Sequence, residues 1–201
     1  MAEAVRPVLA VLAEAPQSGR ILPQLAVEVG SAHAERLYRV MLARAIAAAR
    51  GAGLQWTVWF RPADAVAMLR RWLGDDADLR PQASGGIGAR AAAAVSGTNL
   101  PDGWFVLLRP IADVDAALFT RATALLADVP FVIGSASDGG VYLVGARIAP
   151  PPALRSLEDA GPGALALLRA ALDDAGICHA ELPVRQAIAS AADARAARLL
   201  A

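Results

Sequence analysis

The sequence contains no lysine; all 19 of its basic residues are arginine. A lysine nucleophile, a Schiff base and the lysine of a P-loop are therefore excluded. The abundance of alanine beside it points to base composition rather than function as the origin. Cysteine is nearly as scarce. Cys178 stands alone, so no intrachain disulfide forms and nothing argues for an oxidising compartment. Net charge is also missing: a formal balance of +0 removes the long-range pull toward nucleic acid or an anionic membrane surface. No apolar run approaches the ~18 residues of a membrane span. The run from Pro7 to Ala13 is preceded by Glu3, ends at Glu14 and lacks a basic n-region. These absences predict a soluble, cytoplasmic protein without nucleic-acid or membrane partners. A homodimer is compatible with the sequence.

What is present is hydrophobic material, 56% of 201 residues, enough for one full-sized core. A single domain over residues 1–201 is expected. The chain is organised around Pro130 to Gly145. Phe131, Val132 and Ile133 read as a short buried strand, and Val141 to Val144 as a second. Between them, glycines surround one acid, Asp138. Two glycines after an aspartate let the backbone come close to a bound group. A carboxylate at the end of a buried sheet sits where open α/β sheets keep their ligands. The plainer reading of the same residues is an Asp-Gly hairpin turn.

Elsewhere, Val8 to Ala13 reads as a central parallel strand, followed by a loop from Glu14 to Leu25. Ser31 is placed as the cap of a helix whose apolar face carries Ala34, Leu37, Tyr38, Met41, Leu42 and Ile46, closed by Gly51 and Gly53. Gln55–Phe60 is a strand and Ala63–Leu73 a helix behind Pro62. Asp78–Pro81 is a short strand. The loop Ser84-Gly85-Gly86-Ile87-Gly88 then enters a helix from Ala89 to about Ser96. After a turn at Gly97–Gly103 come strand Trp104–Leu108 and a helix from Asp115 to Ala127. Pro150 to Pro152 mark a break. Helix Gly163–Ala175, strand Ile177–Leu182 and a helix near Ala191–Leu200 complete the chain. Strands alternating with amphipathic helices predict a three-layer α/β/α domain with a mostly parallel sheet.

Several loops could carry chemistry. Glu14 to Arg20 leaves the C-terminal end of a central strand, with Pro16 in the turn. There Gly19 permits close backbone approach and Arg20 offers a planar guanidinium for phosphate. On spacing alone, a solvated loop is the plainer alternative. Gly85, Gly86 and Gly88 with Arg90 open a helix, whose N-terminus favours anions; an ordinary strand-to-helix connection fits equally. Asp113 and Asp115 are spaced for a divalent cation, but Asp115 is the better helix N-cap. Cys178 and His179 point to opposite faces of a strand, so they form no dyad, and a lone strand cysteine reads as core. The four tryptophans read as packing.

Taken together, these loops resemble the small glycosyltransferase-like proteins associated with radical-SAM/selenodomain proteins and arsenosugar biosynthesis. The motif Asp138-Gly139-Gly140-Val141-Tyr142-Leu143-Val144-Gly145 is similar to that family's Asp-Gly-Gly-Tyr-Tyr-Leu-Ile-Gly. Ala15-Pro16 with Gly19-Arg20, Glu35 to Tyr38, and Gln82 with Gly85, Gly88 and Arg90 resemble its first loop, first helix and glycine loop. The resemblance implies a GT-A fold of the nucleotide-diphospho-sugar transferase type. It also implies a nucleotide site at Glu14, Pro16, Gly19, Arg20, Gln82, Gly85, Gly86 and Arg90. Asp138, as the catalytic acid, with Gly139 and Gly140 would contact the sugar.

The departures bear on activity. The family's first loop reads Gly-Arg-Val-Lys-Thr-Arg-Leu, where this chain has Gly19-Arg20-Ile21-Leu22-Pro23-Gln24-Leu25. Gly86 replaces an aspartate. Where the family has the metal-holding aspartate of Gly-Ser-Asp-Ser-Pro, this chain has Pro110, and a late Asp-Val-Asp becomes Ala187-Ile188-Ala189. Mn²⁺ or Mg²⁺ would be the family's cofactor, but the ligands are largely lost. Arg20, Arg90 or Arg109 could supply the cation's charge instead. The expectation is a glycosyltransferase-like protein with a degenerate metal site that keeps nucleotide or sugar binding. The alternatives are a non-enzymatic scaffold or partner subunit, a pseudoenzyme, and, third, a nucleotidyltransferase acting on a small phosphorylated substrate. On the first reading, Asp138→Asn leaves stability intact or slightly improved, because it takes a charge out of a partly desolvated pocket.

Overall fold

The strands that read as continuous apolar runs in sequence lie at the centre of one seven-stranded sheet. The computed structural model describes residues 7–16, 21–96 and 102–200. Its strands are β1 (Val8–Glu14), β2 (Gln55–Arg61), β3 (Leu79–Pro81), β4 (Trp104–Leu107), β5 (Phe131–Ala136), β6 (Val141–Ala146) and β7 (His179–Arg185). They lie in the order β3-β2-β1-β4-β6-β5-β7. All are parallel except β6, which runs antiparallel to both β4 and β5.

Burial on both faces explains why β1 shows no polar alternation. Leu9, Val11 and Ala13 enter one core with Leu42, Ile46, Leu69 and Phe119. Ala10 and Leu12 enter the other with Ala91, Leu154 and Leu168. The first core is covered by α2 (Ser31–Gly51), α3 (Val66–Leu73) and α5 (Ala116–Asp128). The second is covered by α4 (Ile87–Ala94), α6 (Pro152–Arg155) and α7 (Ala164–Asp174). A third apolar cluster joins α1 (Pro23–Val29), α2 and α8 (Ala191–Ala196) beyond the sheet edge.

The reversed strand β6 gives the sheet its one tight connection. A turn from Ser137 to Gly140 joins it to β5, and two strands joined by so short a turn must run antiparallel. The turn closes with Ala136 N–H donating to the Gly140 carbonyl (2.9 Å) and Gly139 N–H donating to the Ala136 carbonyl (3.0 Å). Because β5 is parallel to the rest, this turn lies at the same sheet edge as the ends of β1, β2 and β4. The Leu108 amide donates to the Tyr142 carbonyl at 2.8 Å, which brings the chain leaving β4 alongside the turn.

Several expectations need correction. The second half of the supposed Glu14–Leu25 loop leads into α1, whose Pro23 occupies the first turn where a missing N–H costs nothing. Leu25 is its one buried residue, so seven residues gave no readable period. Ser31 does not cap α2; Gly30, with φ +83°, ends α1 and begins α2, and no side chain caps either start. Proline opens a further short helix, α6, after the break at 150–152. The last strand begins at His179, which leaves Cys178 exposed just before it rather than in the core. The turn at residues 97–103 lies mostly outside the described residues.

Candidate functional site

The C-terminal ends of the parallel strands open onto one cleft with two compartments. The first, about 330 Å³, is lined among others by Glu14, Tyr38, Arg61, Gln82, Arg90 and Arg109. The second, about 340 Å³, is lined by residues including Gln24, Asp138, Ile188 and Ala189. Leu22, Pro23 and Arg109 border both. Each volume is in the range of small-molecule sites. Leu22 adopts φ +46°, a left-handed conformation costly for a leucine, at the point where the chain enters α1 on the rim.

The first compartment is built on strand ends. Glu14 ends β1, and its amide donates to the buried Tyr38 hydroxyl at 2.8 Å. Burial, the dominant influence, pushes the Tyr38 phenol well above its ordinary value. The Glu14 carboxylate accepts from Arg61 Nε, at the end of β2. Gln82 stitches the neighbouring strands together. Its side-chain amide donates to the Ala13 carbonyl (3.0 Å) and the Trp59 carbonyl (2.8 Å), while its oxygen accepts from Arg90 Nη1 at 2.5 Å. Arg90 is only 8% exposed and lies 3.9 Å from the Glu14 carboxylate. Two guanidiniums, those of Arg61 and Arg90, thus stand against one carboxylate.

In the second compartment, Arg109 forms a fork on Asp138: Nη1 donates to Oδ2 at 2.9 Å and Nη2 to Oδ1 at 2.5 Å. Oδ1 also accepts from the Gly140 amide at 3.0 Å. Burial alone would raise the Asp138 carboxyl, but the Arg109 and Gly140 hydrogen bonds outweigh it and hold the group below the usual carboxylate range. The far wall is residues 186–190, fixed by Asp193. That carboxylate accepts from the amides of Ala189 (3.1 Å) and Ser190 (2.9 Å) and from the Ser190 hydroxyl (2.8 Å), inside a capping box that starts α8.

The residues singled out in sequence fall into distinct places. Glu14, Gln82 and Arg90 meet in the first compartment, and Asp138 faces the second. Pro16 is buried just beyond β1. Gly19 and Arg20 lie outside the described residues. Gly139 and Gly140 form the turn. Gly85 is exposed, and Gly86 packs against Glu158, where an added Cβ would come within 2.9 Å of its Cα. The opening amides of α4 are already engaged: Ile87 N–H donates to the Glu158 carbonyl (3.0 Å) and Gly88 N–H to the Leu157 carbonyl (2.9 Å). Gly88 is required by packing, since a Cβ there would stand 1.8 Å from the Leu154 carbonyl oxygen. Of the two spaced aspartates, Asp115 caps α5 through the Leu118 amide (2.8 Å), and Asp113 pairs with Arg185 (2.9 Å).

Sequence reasoning gave no site role to Arg61, Tyr38 or Leu22, and named Arg109 only as a stand-in charge. A usable signal existed for the arginines. Arg61 ends one parallel strand and Arg109 lies two residues past the end of another, where ligands of such sheets lie.

Residues 42–159, more than half of the chain, match the model of a family described as "Uncharacterized protein conserved in bacteria (DUF2064)". The chain belongs to this family. None of the curated proteins matches the sequence. Among solved structures, the chain is similar to a proposed nucleotide-diphospho-sugar transferase from Desulfovibrio desulfuricans G20, with TM-score 0.80 and 20% identity over 92% of this chain and 82% of that one. It is also similar to Rv0371c from Mycobacterium tuberculosis H37Rv. The manganese complex gives TM-score 0.54 at 15% identity, over 95% of this chain and 97% of that one. The second structure of Rv0371c gives 0.53 at 16%, over 96% and 97%. The seven-stranded, mostly parallel sheet is thus that of the nucleotide-diphospho-sugar transferase fold.

A divalent cation in such a cleft would need oxygen ligands, chiefly carboxylates. Asp138 and Glu14 are the carboxylates that line it, and each is held by an arginine. Among the described residues, no three or more His, Cys, Asp or Glu side chains gather where they could hold a metal ion by themselves. A cation approaching either carboxylate would meet a guanidinium already paired with it.

Proposed function

We propose that this protein binds a nucleoside diphosphate or a nucleotide sugar in the two-compartment cleft, as a glycosyltransferase-like member of its fold with a degenerate metal site. The observation that carries the reading is the concentration of cations: Arg61, Arg90 and Arg109 line the first compartment around the Glu14 carboxylate, and Asp138 stands in the second against Arg109. Guanidiniums suit phosphate oxygens, and a carboxylate with spare lone pairs suits sugar hydroxyls. Glu14, Gln82 and Arg90 would hold the nucleotide end. Gly85 and Gly86 would act behind them by seating α4, and the resemblance assigns Pro16, Gly19 and Arg20 to the same nucleotide end. Asp138, with Gly139 and Gly140 supporting it, would orient the sugar. The association with radical-SAM/selenodomain proteins belongs to this reading as the setting of the relatives it resembles.

Binding without rapid turnover is favoured by one feature, the engagement of both cleft carboxylates by arginine. Neither is free to act as a general base. The experiment is a thermal-shift screen of nucleoside diphosphates and nucleotide sugars, with and without Mn²⁺. A ligand that binds only the folded chain raises Tm, by about 2.7 kcal/mol of added stability at a hundred times Kd. At least one ligand is expected to raise Tm, and Arg90→Ala to abolish the shift. A screen in which no ligand moves Tm sinks the reading and leaves the scaffold alternative.

A further inference from the structure

We propose, resting on that nucleotide-binding reading, that Arg109 takes the place of the divalent cation in this cleft. Clamped by Asp138, it holds the diphosphate of the ligand directly, so that binding needs no metal.

The first support is that the pair is mutually fixed. Both oxygens of Asp138 are within 2.9 Å of an Arg109 nitrogen, so a divalent ion approaching this carboxylate would meet a guanidinium already seated there. The second is that the turn is shaped around the guanidinium. A Cβ on Gly140 would lie 2.6 Å from Arg109 Nη2 and 2.4 Å from the Ala160 carbonyl oxygen. Glycine at 140 is required first by the Ala160 carbonyl, and it also leaves the guanidinium its place beside the turn.

The third support concerns the donors left over. Asp138 accepts two of the five guanidinium N–H bonds. Arg109 Nε is buried and has no partner, and the same holds for Arg90 Nε across the first compartment. Among the described residues, two of the four buried side-chain polar atoms without a partner therefore sit on arginines of this one cleft. Buried donors left unpaired are uncommon because each costs free energy, and the two Nη hydrogens that Asp138 leaves unused belong to a side chain a quarter exposed in the cleft, where a ligand acceptor can reach. A diphosphate supplies many acceptors and the matching charge. Arg109 borders both compartments, so it would sit at the diphosphate, between the nucleotide end and the sugar.

The test uses inorganic pyrophosphate as probe, titrated calorimetrically into the wild-type chain in EDTA and again in Mg²⁺ or Mn²⁺. Binding in EDTA is expected, within about two-fold of that with metal. Arg109→Ala is expected to weaken it by about ten- to a hundred-fold, the loss of a charge-assisted contact. Arg109→Lys, which keeps the charge but loses the fork, should recover only part. Melting curves check folding. If Arg109→Ala does not fold, the lysine variant and the EDTA comparison carry the test. Binding that requires Mg²⁺ or Mn²⁺, or that survives Arg109→Ala unchanged, overturns the proposal, as does no binding at all. Nucleotide sugars that bind only with Mn²⁺ would sink this inference and the degenerate metal site with it, but leave nucleotide-sugar binding in the cleft standing. Pyrophosphate binding in EDTA without any nucleotide binding would do the reverse.

Discussion

Asp138→Asn has a definite sign once the Arg109 pair is known. Asparagine keeps the shape, and its oxygen can still accept from the Gly140 amide. Its NH₂ group, however, would face an Arg109 nitrogen donor to donor, and the fork is lost. Each charge-assisted hydrogen bond is worth roughly 1.5–3 kcal/mol when well shielded. Both side chains remain about a quarter exposed, at 25% and 24%, so water and salt recover much of this. The net loss expected is about 1–2 kcal/mol at neutral pH, or roughly 2–8 °C in Tm for a chain of this size. The pH dependence gives a second check. The folded carboxyl titrates below its unfolded value of about 3.9. Its stabilisation is therefore complete above that value and is lost as pH falls through the folded pKa. Urea melts of wild type and variant should differ at pH 7 and converge as pH falls below about 4. Equal stability at pH 7, or a variant more stable than wild type, would refute the argument. So would a gap that does not narrow as pH falls through the folded pKa.

Other perturbations probe the scaffold of the cleft. Tyr38→Phe should cost about 1–2 kcal/mol, because the Glu14 amide loses its hydroxyl acceptor; a chemical melt with no change would rule that bond out as a contributor. The chain has two tyrosines, and burial raises Tyr38 and pushes Tyr142 up to about 12. An ultraviolet titration of the native chain should therefore show no phenolate near pH 10, where the unfolded chain ionises, and stability should fall as pH rises above about 10. One phenolate of ordinary pKa would contradict the burial. Gly88→Ala should destabilise by about 2–3 kcal/mol, since its methyl would meet the Leu154 carbonyl; a neutral outcome in thermal melts would mean that α4 and α6 separate freely. Asp193→Ala should cost about 1–2 kcal/mol through loss of the cap. It should also speed amide exchange at Ala189 and Ser190, and unchanged exchange there would show that Asp193 does not hold the cleft wall.

The sequence by itself determined the layered α/β fold, because that rests on short-range information. Short continuous apolar runs bounded by turn residues, such as Val8 to Ala13, suit strands covered on both faces, and the buried face of α2 repeats at helical spacing over 21 residues. It also singled out Asp138, since an acid between two buried strands is conspicuous in one dimension. Tertiary structure alone decided what that acid does. Arg109 lies 29 positions away, and nothing local couples the two. They meet because β6 is threaded backwards between β4 and β5, which sets the end of β4 beside the β5–β6 turn. The same holds for Glu14 and Arg61, 47 positions apart and adjacent only through β1–β2 pairing. The glycines misled for the opposite reason. Gly86 and Gly88 carry the local pattern of an anion loop, but their role comes from the 154–158 segment packed against them. Short-range pattern fixes which elements form, while the pairing of charges across strand ends depends on sheet order, which no local pattern encodes.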